Sequence, residues 1–254
     1  MRIKAIAFNT FKEAIRDRIL YLLLFFAAST IIFSRVLALL TVGDRIKIIK
    51  DVGLASLSLF GALMAIVMGT GLVYKEIEKK TIYTLLSKPI HRYQFLLGKF
   101  LGLILTLFMM LCLMSIIFMT LVYFHTFKIE WDLLRAIFLI FLELSLITSF
   151  ALLFSCFSTP ILSSIFSLSF YLIGHSSWGL ETIIQKIKPG PQKILVQIIY
   201  LLLPNLENFN IKTEVVHHLP IPTQLFFFST LYGIFYTLFI LTIAYLVFRK
   251  RDFI

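Results

Sequence analysis

The chain has 254 residues, 59% of them hydrophobic and 15% charged, whereas a soluble domain is roughly half apolar and about a quarter charged. That balance argues against a soluble enzyme. The formal net charge of +11, from 24 Lys and Arg against 13 Asp and Glu, suggests nucleic acid in a soluble protein. Here the basic residues flank apolar runs, where they act as topology signals and contacts with anionic lipid headgroups, so membrane lipids and not nucleic acid are the expected partners.

In chain order, residues 1–18 come first. Ile3, Ile6, Ala7, Thr10, Phe11, Ala14 and Ile15 share one helical face, with Lys4, Lys12, Arg16 and Arg18 elsewhere. This predicts an amphipathic helix lying along the cytoplasmic leaflet or packed on a partner. Six apolar runs follow, at 19–40, 53–74, 100–123, 136–157, 161–178 and 225–248, each near the ~20 residues that cross a bilayer as a helix. The first is too long for a signal-peptide core and no small-residue cleavage site follows it, so it is expected to be retained. Cys112 and Cys156 both fall inside runs and suggest neither a disulfide framework nor a metal site. The expected fold is an all-α integral membrane domain over residues 1–254 with six transmembrane helices. With the amino terminus in the cytoplasm, 14 Lys and Arg fall on the cytoplasmic side and ten, counting Arg35, on the other. The positive-inside rule therefore predicts both termini in the cytoplasm.

Two spans carry small residues at intervals of four: Gly61, Ala65 and Gly69, and Gly98 with Gly102. This spacing lets helices approach closely in lipid, within a subunit or across a dimer. Between spans five and six, residues 179–224 contain five prolines, and the ten residues 194–203, ILVQIIYLLL, are too short to span, so they are expected to lie in or dip into the outer leaflet.

Little in the chain can do covalent chemistry. There is no G-x-x-x-x-G-K-[ST], since Gly98 and Lys99 are followed by Phe100, and no H-E-x-x-H or G-x-S-x-G. His217 and His218 read as a solvated doublet before they read as metal ligands, and the methionines at 109, 110, 114 and 119 as packing. Polar groups within the spans carry more information because lipid penalises them. Glu143 in span four costs about 2.5–3.5 kcal/mol to place at a helix centre, so it faces protein or a water-filled cavity, either as an interhelical tie or on a proton or substrate path. Ser164, Ser167, Tyr171 and His175 make one polar stripe on span five, able to line a path or to bond between helices.

The segment 74–102, YKEIEKKTIYTLLSKPIHRYQFLLGKFLG, is the most distinctive. Glu76 and Lys80 stand at i,i+4, Glu78 adds negative charge to a first turn, and Ile77, Ile82, Leu85 and Leu86 offer apolar contacts, which predicts a short helix over 76–87 ended by Pro89. Such a helix between two spans can press on another protein and transmit its motion. Glu76, Glu78, Thr81, Leu85, Leu86, Pro89, Arg92, Gly98 and Lys99 fall at the spacings of the corresponding loop in ABC-2 type transporter permeases, which the chain resembles here. Lys80 stands where that family often has glycine. The stretches 154–175 and 203–212 are similar to a subgroup of these permeases associated with copper-enzyme maturation.

The resemblance implies a non-catalytic transmembrane subunit of an exporter in the cytoplasmic (inner) membrane, dimerised with itself or a related chain. It also implies two copies of a separate ABC ATPase subunit, which bind ATP and Mg and are coupled through Glu76, Glu78, Thr81, Leu85, Leu86, Pro89 and Arg92. This chain itself is expected to bind no cofactor or metal. The rival reading is an ATP-independent carrier or channel using Glu143 as an ion or proton site. A lipid-acting intramembrane enzyme lacks an identifiable nucleophile and base.

Overall fold

The structure is a computed structural model that describes residues 2–40, 44–78, 91–128, 130–176 and 203–250, plus positions 190, 193 and 197, with backbone alone at 2 and 72–78. Its elements in chain order are α1 (Arg2–Ile15), α2 (Arg18–Leu39), α3 (Arg45–Glu78), α4 (Arg92–Thr126), α5 (Trp131–Ser155), α6 (Pro160–His175), a 3-10 turn (Leu206–Phe209), α7 (Lys212–Val216) and α8 (Thr223–Lys250). In lipid a helix satisfies its backbone within one segment, which explains why Leu-, Ile- and Phe-rich runs take this form. Serines and threonines within them bond back to carbonyls one turn earlier, as Thr106 does to Gly102 and Thr148 to Leu144.

Local chemistry sets the ends. Asp17 accepts from the Ile19 N–H at 3.0 Å and starts α2. Pro160 stands in the first turn of α6, where its missing N–H removes no helical bond. Phe127, with φ 51°, closes α4 in the left-handed region, its N–H reaching Tyr123 O at 2.8 Å.

Five of these helices (α2, α3, α4, α5 and α8) are long and apolar enough to cross a membrane. The sixth run forms α6, whose 16 residues reach about 24 Å, short of the ~30 Å hydrocarbon core. It ends at His175, before the predicted boundary at 178. Other boundaries move outward: α3 begins at Arg45 and α4 at Arg92, because the polar residues flanking each apolar run continue the helix. α3 also runs on through Glu76 and Glu78, where a new helix was expected to start, since neither Gly nor Pro interrupts 72–88. The segment 194–203, apart from 197 and 203, lies outside the described residues.

α3 and α5 form the centre, with most of their apolar stretches buried, whereas α2 and α8 are largely exposed. The outer helices expose large apolar side chains such as Phe25, Phe33, Phe227 and Phe235, each more than half exposed, and this belt is what a bilayer would cover. Small residues make the central seam close. A Cβ on Gly61 would lie 2.6 Å from Leu144 Cδ1 and one on Gly69 2.5 Å from the Ala151 Cβ, with Ala65 fully buried between them.

α1 turns its apolar face onto α4. Thr10 and Ala14 are buried, Ile3, Ile6, Ala7, Phe11 and Ile15 half-buried, and Lys4, Lys12 and Arg16 exposed. Gly98 meets Ile6 and Gly102 meets Ala7 and Thr10. A Cβ at Gly102 would sit 2.5 Å from the Ala7 carbonyl oxygen, a backbone atom that cannot rotate away. Gly102→Leu is therefore expected to lift α1 from α4 at about 1–3 kcal/mol. Tryptic cleavage after the exposed Lys12 and Arg16 should accelerate severalfold, and unchanged cleavage would contradict the contact.

Candidate functional site: a polar network at mid-depth

α5 carries four polar residues in its buried middle. Ser145, Thr148 and Ser149 donate to their own helix, at Phe141 O, Leu144 O and Leu146 O. A glutamate cannot satisfy itself in that way, so Glu143, 1% exposed, draws partners from other helices. The His175 Nε2 lies 2.9 Å from its Oε1, and the Ser58 hydroxyl from α3 donates to Oε1 at 3.3 Å. With that proton committed, Ser58 accepts from the Tyr171 hydroxyl at 3.5 Å.

The cluster lies about 18 Å along α5 from Trp131, near the middle of both central helices. His175, the last residue of α6, stands at the same depth. Residues 203–211 pack against the end of α6 and carry Glu207. Its Oε2 is 3.7 Å from His175 Nδ1, and its Oε1 accepts from Asn210 Nδ2 at 2.7 Å. The segment is fastened on three further sides. Leu206 and the Pro204 carbonyl cover Gly174, Phe209 covers Gly233, and the Tyr232 and Ser229 hydroxyls of α8 bond Asn205 N and Asn208 O at 2.9 and 2.6 Å. One imidazole thus stands between a buried carboxylate and a part-exposed one, and joins α5, α6 and this segment.

Of the polar stripe on α6, Tyr171 and His175 join this network. Ser164 instead bonds Thr70 of α3 at 2.9 Å, and Ser167 donates to its own Ser163 carbonyl at 2.7 Å. Ser58 and Glu207 were not singled out in the sequence. Ser58 sits with Ser56 in an apolar run, where an occasional serine is ordinary, and Glu207 lies in a proline-flanked loop.

A second cluster ties the end of the bundle opposite α1. Lys50, fully buried, lies 2.6 Å from Glu130 Oε2 and 3.2 Å from His218 Nε2. His218 is held at φ 54°. Beside it a cavity of about 500 Å³ is lined by Asp44, Arg45, Lys47, Lys50 and His125 among others. The hydrogen bond from Lys47, at 2.5 Å, holds the Asp44 carboxyl below the usual carboxylate range. Among the described residues no three His, Cys, Asp or Glu side chains are grouped to hold a metal.

At the α1 end, Arg92 opens α4 and donates from Nη1 to the Phe248 and Arg249 carbonyls at 3.1 and 2.7 Å, capping α8. Glu76 and Glu78 lie on the last turn of α3. Thr81, Leu85, Leu86 and Pro89 lie outside the described residues. Lys99, which adjoins Gly98, is buried 3.6 Å from Glu13 of α1.

A bundle of long apolar helices, with large apolar side chains outside and its mid-depth acid bonded within the interior, defines an integral membrane protein. The chain belongs to the ABC-2 transporter family: residues 4–253 match the family described as ABC-2 family transporter protein. Membership makes it a membrane-spanning permease subunit of an ABC transporter, of a generally non-catalytic kind, that works with an ATPase subunit. A search of curated proteins finds no match to the chain.

Proposed function

We propose that two copies of this permease, or one copy and a related chain, join two ATPase subunits and export a substrate across the inner membrane. ATP and Mg bind on the ATPases. On this reading the chain crosses the membrane six times, and the excess of Lys and Arg on one side supports a cytoplasmic location for α1 and the end of α8. The segment 76–87 is the coupling element.

The observation that carries this reading is the junction around that segment. α3 runs into it at Glu78 and α4 leaves it at Arg92, whose side chain grips the end of α8, while α1 lies across Gly98 and Gly102. A push on the segment therefore reaches α1, α3, α4 and α8 together, and α3 and α4 lead it to the core. Coupling requires that the ATPase contact differ between permease states, because a ligand shifts an equilibrium only by its differential affinity.

Leu85→Asp with Leu86→Asp is expected to abolish co-purification of the ATPase in mild detergent and leave membrane insertion intact. An ATPase that still co-purifies in full amount would count against 76–87 as the contact.

A further inference from the structure

α4 and α5 leave a groove on their lipid side. It encloses about 360 Å³ and is apolar apart from Ser115 and the Cys112 thiol. Phe108 and Phe141, edge to face at 5.6 Å, close its deep end. At its other end Met119 also lines a second hollow of about 400 Å³, which opens past Tyr123 to Lys128 and Glu130. Phe127 and Trp131 stand 75% and 71% exposed at that level, and aromatic side chains of this kind mark a membrane–water boundary.

The groove therefore runs inward from the boundary. Met119 to Phe108 is about 16 Å of helix, close to the ~15 Å of one hydrocarbon leaflet. A helix is roughly 10–12 Å across with its side chains, too wide for a hollow of this volume over that length, so a span of a second copy does not seat in it. A single hydrocarbon chain does. The charges at the mouth say which lipid. Glu130 is held by Lys50 at 2.6 Å, and Arg135 by Asp132 at 3.0 Å. Lys128 is exposed, and among the described residues no carboxylate pairs with it. It is a cation at headgroup level directly above an acyl-sized groove.

We propose that the groove between α4 and α5 holds one acyl chain of an anionic phospholipid from the adjoining leaflet, with the headgroup phosphate against Lys128. The test uses the full chain in phosphatidylcholine nanodiscs, with phosphatidylglycerol carrying a photoactivatable diazirine near the end of one acyl chain. Adducts are expected severalfold denser on 108–119 and 134–141 than on the equally lipid-facing α2 and α8. Cys112→Trp, which fills the groove, should remove that excess, and Lys128→Glu should reduce it for phosphatidylglycerol but not for a phosphatidylcholine probe. Labelling spread evenly over α2, α4, α5 and α8 would mean annular lipid and overturn the proposal, as would labelling absent from the groove because a second copy covers it. An excess that survives Cys112→Trp also overturns it, and one indifferent to Lys128→Glu overturns the headgroup contact.

A readout on the unsubstituted chain guards against a variant that fails to fold. Cys112 is half-buried in the groove and Cys156 is fully buried. Added phosphatidylglycerol should slow alkylation of Cys112 by N-ethylmaleimide severalfold in detergent, and an unchanged rate counts against occupancy.

Discussion

Lys50→Met is expected to destabilise the folded chain by about 3–5 kcal/mol, the usual result of removing one member of a buried ion pair. The Lys50 side chain is wholly buried, with Glu130 at 2.6 Å and His218 at 3.2 Å. These partners belong to three places: the first turns of α3, the residue that caps the start of α5, and the turn after α7. Methionine fills similar space but leaves the Glu130 carboxylate, 17% exposed, without its cation. Denaturant titration in detergent measures the loss. The double variant Lys50→Met with Glu130→Leu should regain most of it, because the unpaired charge, and not the missing attraction, is the larger part of the damage. A single variant within about 1 kcal/mol of the parent would show that water reaches the pair and that it is a surface contact.

The second large effect is expected at Glu143. Glu143→Leu removes the acceptor for His175 and Ser58 together; stranding the buried Ser58 hydroxyl costs about 1–3 kcal/mol, and the part-exposed His175 loses its tie to α5. The damage should be local. His175 is the link between α5 and residues 203–211, so amide exchange should rise sharply at the end of α6 and across 205–211 while α1 and the first half of α4 stay protected. Glu143→Gln keeps the shape and an acceptor oxygen at the same place, so it should hold the exchange pattern near that of the parent and leave ATPase turnover of the assembled transporter within about twofold. That conservative variant separates a tie from a proton site. Turnover or transport lost in Glu143→Gln with exchange unchanged would mean that the ionisable carboxyl itself is used, in a line from Glu143 through His175 to Glu207.

What could be read from the sequence follows from how local each signal is. Hydrophobicity belongs to a side chain wherever it sits, so apolar runs gave the long helices α2, α3, α4, α5 and α8. The ends were misjudged where polar residues continue a helix beyond lipid, as at Arg45 and Arg92. The same error hid Lys50. Counted as loop charge flanking a span, it is in the structure a helical residue with no exposed surface. Small residues at intervals of four announced close approach but not the partner: α5 for Gly61 and Gly69, α1 for Gly98 and Gly102.

By itself, then, the sequence determined that this is an all-helical membrane protein with one costly buried acid, because both follow from transfer free energies of individual residues. Only the tertiary structure decided what satisfies that acid. Ser58 lies 85 residues away in sequence and His175 lies 32 away, and they meet it because α3 and α6 both pack against α5 with these residues at the depth of Glu143. Residues 203–211 pack against the end of α6 and bring Glu207 to the same imidazole. A donor and an acceptor from distant segments pair only when packing brings them within about 3 Å, and that distance is a property of the whole bundle, not of any one stretch of chain.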